Sequence, residues 1–204
     1  MLGEYSLRQV PTIRVWREAI SVFPWLRLIG VGLSVIGKSK VDLLATTRIR
    51  LRVWPNDLDF NMHVNNGRYL ALADIGRVHW FLCTGILAVA RQHEAFPVIG
   101  DAIAKFRHDL KAFQGFEIQT RLIGWDHKWG FIEHRFTRMG RVIGVVAIRG
   151  VFKGPGGAVD PEVLLAGVAH TARPPRLPEW VTRFHQADEL LSELLRDEER
   201  SKSL

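Results

Sequence analysis

The sequence is poor in cysteine and lacks the usual signatures of nucleotide and metal sites. Cys83 is the single cysteine in 204 residues, which excludes an internal disulfide and suits a reducing compartment such as the cytoplasm. A glycine-rich phosphate loop, zinc-spaced cysteine and histidine pairs and an RNA-binding aromatic signature are all missing. These absences argue against a P-loop enzyme and a nucleic-acid-binding protein. We expect no cofactor, and the eight histidines suggest no metal site.

Acidic residues are also in the minority. The chain has 28 lysines and arginines against 21 acidic residues, a net charge of +7, which attracts anionic partners over long range. Coenzyme A phosphates and an anionic membrane surface are therefore both candidates. A hydrophobic fraction of 47% beside 24% charged residues is that of a globular chain, and this length fits about one domain with a proper core.

Only one apolar run approaches the length of a membrane span, from Ala19 to Ile36. Arg27 lies in its middle and Pro24 interrupts it, so a spanning helix is not predicted. It also lacks a signal-peptide layout. Two alternatives remain for residues 1–44: an apolar arm packed on its own domain or a dimer partner, and an interfacial anchor that holds the protein at the membrane periphery.

Residues 45–157 have the pattern of one antiparallel sheet and one long helix. Thr46 to Trp54 alternates apolar residues with arginines, as expected of a half-buried strand. The arginines form either a solvated charged face or a patch for coenzyme A phosphates or lipid headgroups. A helix is predicted from Asn66 to about Thr84. Four more strands are predicted at Pro97–Leu110, Phe116–Trp125, Trp129–Thr137 and Val142–Phe152. This order of elements indicates the α+β class.

Residues 158–204 are predicted to be a helical extension of the same domain. Asp160 should cap a short helix that ends near Leu165, and Trp180 to Arg200 has the pattern of an amphipathic helix. The chain shows no internal repeat, so we do not divide it further.

The stretch from Trp54 to Arg77, WPNDLDFNMHVNNGRYLALADIGR, carries the polar residues of a candidate catalytic site. Four polar side chains occupy alternate positions of a predicted extended turn and would point into one small volume. They are Asp57, Asp59, Asn61 and His63. The helix that follows would present unpaired backbone N–H groups and the positive end of its dipole to the same volume. A carboxylate facing a carbonyl polarised in this way is a hydrolytic arrangement.

This stretch resembles the hotdog-fold thioesterases. The string D-x-N-x-H-V-N-N, which begins at Asp59, is similar to that of plant acyl-ACP thioesterases. The longer run PNDLDFNMHVNNGRYLALADIGR, followed by GWDHKWGFIEHRF, is similar to the thioesterase-superfamily-member-six group. The resemblance covers Thr46 to Gly157. It implies an antiparallel sheet of about five strands around one long helix, and a homodimer or dimer of dimers whose sites use residues from both chains.

The function we expect is hydrolysis of an acyl thioester of lipid metabolism, with acyl-CoA or an acyl carrier protein thioester as substrate. Asp59 would act as general base on water or attack directly to form an anhydride. Asn61 and His63 would orient the water or carboxylate and the thiolate leaving group. The carbonyl oxygen would face the N–H groups near three consecutive residues. These are Asn65, Asn66 and Gly67.

Three further residues are reserve candidates. Asp57 would tune Asp59 by like-charge repulsion or merely cap the turn. Tyr69 belongs to the string that carries the resemblance. Asp74 is either a second carboxylate of the site or the ion-pair partner of Arg77. Two rival functions remain open: a membrane-associated acyl-binding protein with little turnover, and a hotdog dehydratase or hydratase, whose differently spaced histidine motifs this chain lacks.

Overall fold

The structure is a computed structural model, and it describes residues 25–168 and 174–202. The prediction for residues 1–24 of the apolar arm lies outside the described residues. So does part of the segment that joins the sheet to the C-terminal helix, residues 169–173.

Five strands form one curled antiparallel sheet in the order β1-β3-β4-β5-β2, and a short sixth strand pairs with β5. The strands are β1 (Thr47–Arg52), β2 (Phe96–Phe106), β3 (Gly115–Trp125), β4 (Gly130–Arg138), β5 (Arg141–Gly154) and β6 (Gly157–Val159). The predicted strands are therefore confirmed. The second strand ends earlier than expected because the N–H groups of Arg107 and His108 both donate to the Ile143 carbonyl of β5, which interrupts the regular pairing of the two strands.

Within the described residues, five α-helices accompany the sheet. They are α1 (Trp25–Ser34), α2 (Asn66–Thr84), α3 (Ile86–Gln92), α4 (Pro161–Gly167) and α5 (Glu179–Lys202). α2 has the predicted bounds and is buried on most sides, with the inner face of the sheet curled around it. Helix and sheet approach each other closely at Gly76, where an added Cβ would lie 2.7 Å from Thr120 Oγ1. The α+β class and the wrapped helix are thus confirmed.

α2 ends at Gly85, whose φ of 80° is favoured by glycine. The sequence analysis predicted a strand as the next element after this point, and that was wrong: the chain forms the short helix α3 before β2 begins. Among the described residues no single helix is long and apolar enough to span a membrane. Only α2 and α3 taken together, bent by 78°, reach that length and composition.

The described part of the apolar run forms α1, which packs against α2. Arg27 and Val31 are buried on this helix, whereas Trp25, Leu26 and Ile29 are exposed. Arg27, which argued against a membrane span, is thus buried inside the protein, where its partner is Asp57. The exposed face of α1 does not decide between an arm packed on protein and an interfacial membrane anchor, so both alternatives remain predictions.

α5 lies on the outer face of the sheet, opposite α2. Val181 of this helix packs with Ile123 and Phe131, whereas the neighbouring Ile132 belongs to the main core around α2. Because successive residues of a strand point to opposite faces, the two clusters lie on opposite sides of the sheet. The predicted short helix is also confirmed, as Asp160 caps α4 through the Glu162 N–H.

Candidate active site

Asp57 anchors the loop that follows β1. Its carboxylate is fully buried and binds two guanidinium groups, Arg27 at 2.6 Å and Arg68 at 2.8 Å, and it accepts the Trp54 N–H at 2.8 Å. Burial by itself would raise the pKa of Asp57, but the bonds from Arg27, Trp54 and Arg68 outweigh it, and the pKa is lowered. Asp57 is therefore a charged structural residue that caps the turn and joins α1, the loop and α2.

Asp59 lies on a tight reversal instead of an extended turn. The Met62 N–H donates to the Asp59 carbonyl at 3.0 Å, the Asp59 N–H donates to the His63 carbonyl at 2.9 Å, and Met62 has a φ of 61°. The predicted extended geometry was wrong for this reason. Asp59 and His63 instead face each other across the reversal, which brings their side chains to the same side. Asn61 is exposed at the tip, and its N–H donates to Asp59 Oδ1 at 2.8 Å.

His63 has an acidic neighbour that the sequence analysis missed. Its Nε2 lies 3.6 Å from Asp109 Oδ2, on the segment that follows β2. The same segment holds the loop through the Val64 N–H, which donates to the Leu110 carbonyl at 2.9 Å. A carboxylate in this position orients the imidazole.

The start of α2 has fewer free donors than expected. Among the three predicted N–H groups, that of Asn65 donates to the Asp57 carbonyl, and that of Gly67 donates to the Asn65 side chain at 2.8 Å. Within the described parts of the chain, the Asn66 N–H alone of these three has no acceptor. It remains the helix-start donor that a developing negative charge can use.

The other two reserve residues have structural partners. Tyr69 is buried against Phe106 and Phe136, and burial, with a contribution from the Asp109 charge, raises its pKa to about 12. Its hydroxyl therefore stays protonated at neutral pH. Asp74 forms the predicted ion pair with Arg77 at 2.7 Å, so its charge is compensated within α2.

An apolar cavity of about 100 Å³ lies further along α2, on the inner side of the sheet. It is lined by Trp80 and Phe81 of the helix and by strand residues such as Ile132 and Ile148, but by none of the predicted site residues. Arg77, its nearest lining residue on α2, is about 16 Å along the helix from Asn66 at 1.5 Å per residue. The candidate site of a single chain is thus an exposed surface.

Three residues that position the site were not singled out as site residues from the sequence: Arg27, Arg68 and Asp109. Arg27 contacts Asp57 across 30 positions of the chain, so no local pattern marks the pair. Arg68 gave a weak signal, because a basic residue in the first turn of a helix opposes the dipole and needs an acidic partner.

Comparison with known proteins identifies the family. The sequence profile of the thioesterase-like superfamily matches residues 53–184, more than half of the chain. Protein THEM6 of Danio rerio is 35% identical over 117 residues, which cover 57% of this chain and 58% of the relative. Protein THEM6 of Drosophila melanogaster is 31% identical over 154 residues, which cover 74% of this chain and 78% of the relative. The matched region thus spans less than two thirds of the Danio protein and more than two thirds of the Drosophila protein.

Solved structures confirm the fold. The probable thioesterase YbaW of Escherichia coli superposes with a TM-score of 0.56 at 21% identity and covers 60% of this chain and 95% of its own. The BH1999 gentisyl-coenzyme A thioesterase gives a TM-score of 0.52 at 21% identity, with 61% and 100% covered. The curled sheet around α2 is therefore a hotdog fold. The chain belongs to the thioesterase-like superfamily.

Proposed function

We propose that this chain is an acyl-CoA thioesterase with Asp59 as its catalytic carboxylate. The observation that carries the proposal is the placement of Asp59 on a loop that Asp57 fixes to the start of α2. Both the backbone and the side chain of Asp57 fix the loop to the helix. Its carbonyl accepts the Asn65 N–H, and its carboxylate binds Arg68. A fixed carboxylate beside a helix start is what thioester hydrolysis requires.

In the proposed reaction the thioester carbonyl oxygen lies at the Asn66 N–H, where the helix dipole stabilises the developing charge. Asp59 removes a proton from water as the hydroxide oxygen bonds to the carbonyl carbon, or attacks that carbon itself to form an anhydride that water then opens. The carbon–sulfur bond breaks, and the CoA thiolate leaves and takes up a proton. His63, oriented by Asp109, and Asn61 at the tip position the water and the leaving thiolate.

Coenzyme A is the carrier we favour over an acyl carrier protein. The net charge of +7 attracts the phosphates of CoA, and a family neighbour of the same fold is described as a coenzyme A thioesterase. An acyl carrier protein, itself an anionic partner, is the alternative. A comparison of kcat/KM for the same acyl group on the two carriers distinguishes them.

The proposed enzyme works as a homodimer, because its site is an open surface in one chain. β2 is an edge strand of eleven residues, and its apolar side chains Phe96, Ile99, Ile103 and Phe106 are 40% to 60% exposed. A long apolar edge of this kind favours pairing with a second strand. The segment that leaves β2 contacts the site loop, so a partner bound at this edge would lie beside the site.

The test is thiol release from a panel of acyl-CoA thioesters by the wild type and by Asp59→Asn. Loss of the general base should lower kcat roughly a hundredfold or more. Asp197→Asn, an exposed change on α5, is the matched control and should keep the wild-type rate. A folded Asp59→Asn variant with wild-type kcat would show that the carboxylate is assigned to the wrong residue.

A membrane-associated acyl-binding protein with little turnover is the second candidate. It is favoured by the exposed apolar face of α1, on which Trp25, Leu26, Ile29 and Leu33 are 59% to 69% exposed. Flotation with anionic liposomes, measured beside thiol release, separates the two functions. The acyl-binding alternative requires flotation without turnover. Turnover together with flotation would indicate a cytoplasmic enzyme held at the membrane periphery.

A further inference from the structure

A row of paired residues crosses the outer face of the sheet. Gly124 of β3 pairs with Phe131 of β4, Phe131 pairs with Arg149 of β5, and Arg149 pairs with Asp101 of β2. Since β2 is the edge strand, the row runs from the interior of the sheet to its open apolar edge.

α5 and the residues before it follow this row. Leu177 lies against Gly124, where an added Cβ would be 2.8 Å from its Cδ2, and the His185 ring packs edge-on against Phe131 with centroids 5.5 Å apart. Arg149 then donates to His185 Nδ1 at 2.8 Å and forms ion pairs with Asp188 and Glu189.

Asp188 brings α5 to the last strand of the sheet. Arg149, which is 2% exposed, binds both Asp188 and Asp101 of β2. The remaining residues 190–202 would extend the helix by about 20 Å at 1.5 Å per residue. Because strands are about 4.8 Å apart, this length covers roughly four further strands, which a single chain does not contain.

Four leucines follow the point at which α5 reaches the edge. Their exposed fractions are 67% for Leu190, 51% for Leu191, 55% for Leu194 and 49% for Leu195. The spacing places them on one side of the helix. Leu195 lies seven residues, two helical turns, after Asp188, so it continues the line along which α5 packs on the sheet. Leu191 lies one turn before Leu195, beside the same line. We call these four residues the leucine stripe.

We infer that the leucine stripe packs on a second copy of this chain joined at the β2 edge. The inference rests on the edge-to-edge dimer in the proposed function and extends it to the outer face. The partner would continue the sheet beyond β2, beneath the part of α5 that carries the leucine stripe. Because the dimer would be two-fold symmetric, the two α5 helices would cross the seam in opposite directions. Apolar side chains that are half exposed in one chain would be buried in both.

The charges next to the stripe favour a second copy over an anionic membrane. Residues 196–200 read RDEER, with two basic and three acidic side chains, so this end of α5 carries no basic excess. Helices that bind membrane surfaces are rich in lysine and arginine on the polar face. The mixed charges suit a rim that stays in water around an apolar contact.

The test compares the full-length wild type with Leu191→Ser/Leu195→Ser and Leu190→Ser/Leu194→Ser, using dimer Kd values from sedimentation equilibrium. We expect each pair to weaken the dimer about tenfold or more, since buried apolar contacts at an interface are worth at least that. Glu179→Gln/Arg183→Gln changes an exposed ion pair at the other end of the same helix and should keep the wild-type Kd. A photoreactive residue at position 194 should cross-link the two chains.

Serine variants that fold, by circular dichroism, and dimerise with the wild-type Kd would overturn the inference while leaving the edge-to-edge dimer intact. A wild type that sediments as a monomer would overturn the dimer as well. If the serine variants keep the dimer but lose binding to phosphatidylserine vesicles, the stripe serves a membrane and the inference is wrong. None of these measurements depends on turnover, so failure of thiol release would be a separate result.

Discussion

The two edges of the sheet differ in length and chemistry. β1 has six residues, TRIRLR, and its arginines 48, 50 and 52 are exposed. β2 has eleven residues, FPVIGDAIAKF, with apolar side chains exposed along its length. Short, charged edges resist pairing with other strands, whereas long apolar edges favour it. β1 is thus an edge that resists pairing, whereas β2 is an edge with which a partner strand can pair.

The largest expected effect comes from placing charge on β2. Ile99→Lys/Ile103→Lys should raise the dimer Kd at least a hundredfold, because two lysines in each chain would face the same apolar seam. Thiol release should fall with the dimer, since in the proposed homodimer the partner completes the site. Val41→Lys, an apolar-to-lysine change outside the sheet, is the control. A fully active monomer of the double variant would break the comparison between the edges.

The second effect concerns the loop that meets the segment leaving β2. Asp57→Asn should lower the free energy of unfolding by about 3–5 kcal/mol, because Arg27 would keep its burial and lose its charged partner. Urea unfolding measures the loss. Asp59→Asn should stay within about 0.5 kcal/mol of the wild type, as expected for a partly exposed site. If both variants lowered the free energy of unfolding by similar amounts, Asp57 could not be the anchoring carboxylate and Asp59 the catalytic one.

A smaller effect, a pH dependence of stability, is expected where α5 reaches the β2 edge. Burial, together with Asp101 and Glu189, raises the pKa of Asp188 to about 6, although Arg149 opposes the shift. The folded state therefore holds the Asp188 proton more tightly than the unfolded state. The contribution of Asp188 to stability is full at low pH and is lost as the pH rises through about 6.

Asp188→Asn isolates this contribution, since the amide does not titrate. Relative to the wild type, the variant should gain stability between pH 5 and pH 8. Urea midpoints at the two pH values measure the difference, with Asp197→Asn as the exposed control on the same helix. A difference that stays constant, or shrinks towards pH 8, would mean that the pKa of Asp188 is not raised in the folded state.

The smallest effect is expected at β1. The Arg50 side chain is 91% exposed and lies 3.6 Å from Glu117, so Arg50→Ala should change the free energy of unfolding by less than about 1 kcal/mol. The dimer Kd should not change, because β1 is not the paired edge. If this substitution dissociated the dimer, the assignment of the seam to β2 would be wrong.

The sequence predicted the regular elements because their signals are local. Asn65 and Gly85 mark the two ends of α2, and alternation with turn residues located the strands. The same reasoning missed α3, whose seven residues offer too short a pattern to separate a helix from the start of a strand.

Site geometry was less predictable because it depends on contacts between distant segments. Asp57 and Asp59 are two positions apart and look equivalent in the sequence, but Arg27 holds one of them inside the protein. The alternation of polar residues suggested an extended turn, whereas the chain reverses at Met62, whose positive φ has no clear sequence signal. The choice of Asp59 itself came from its position in the D-x-N-x-H string and remains a prediction.

The close approach at Gly76 has a consequence for the cavity further along α2. Helix and sheet touch at this residue, and the cavity begins within the next turn, where Trp80 and Phe81 line it. A methyl group at position 76 would press on Thr120 and force the helix axis away from the sheet. The depth of the cavity is therefore controlled by a residue that does not line it, and selection on cavity size would act on Gly76 as well as on the cavity wall.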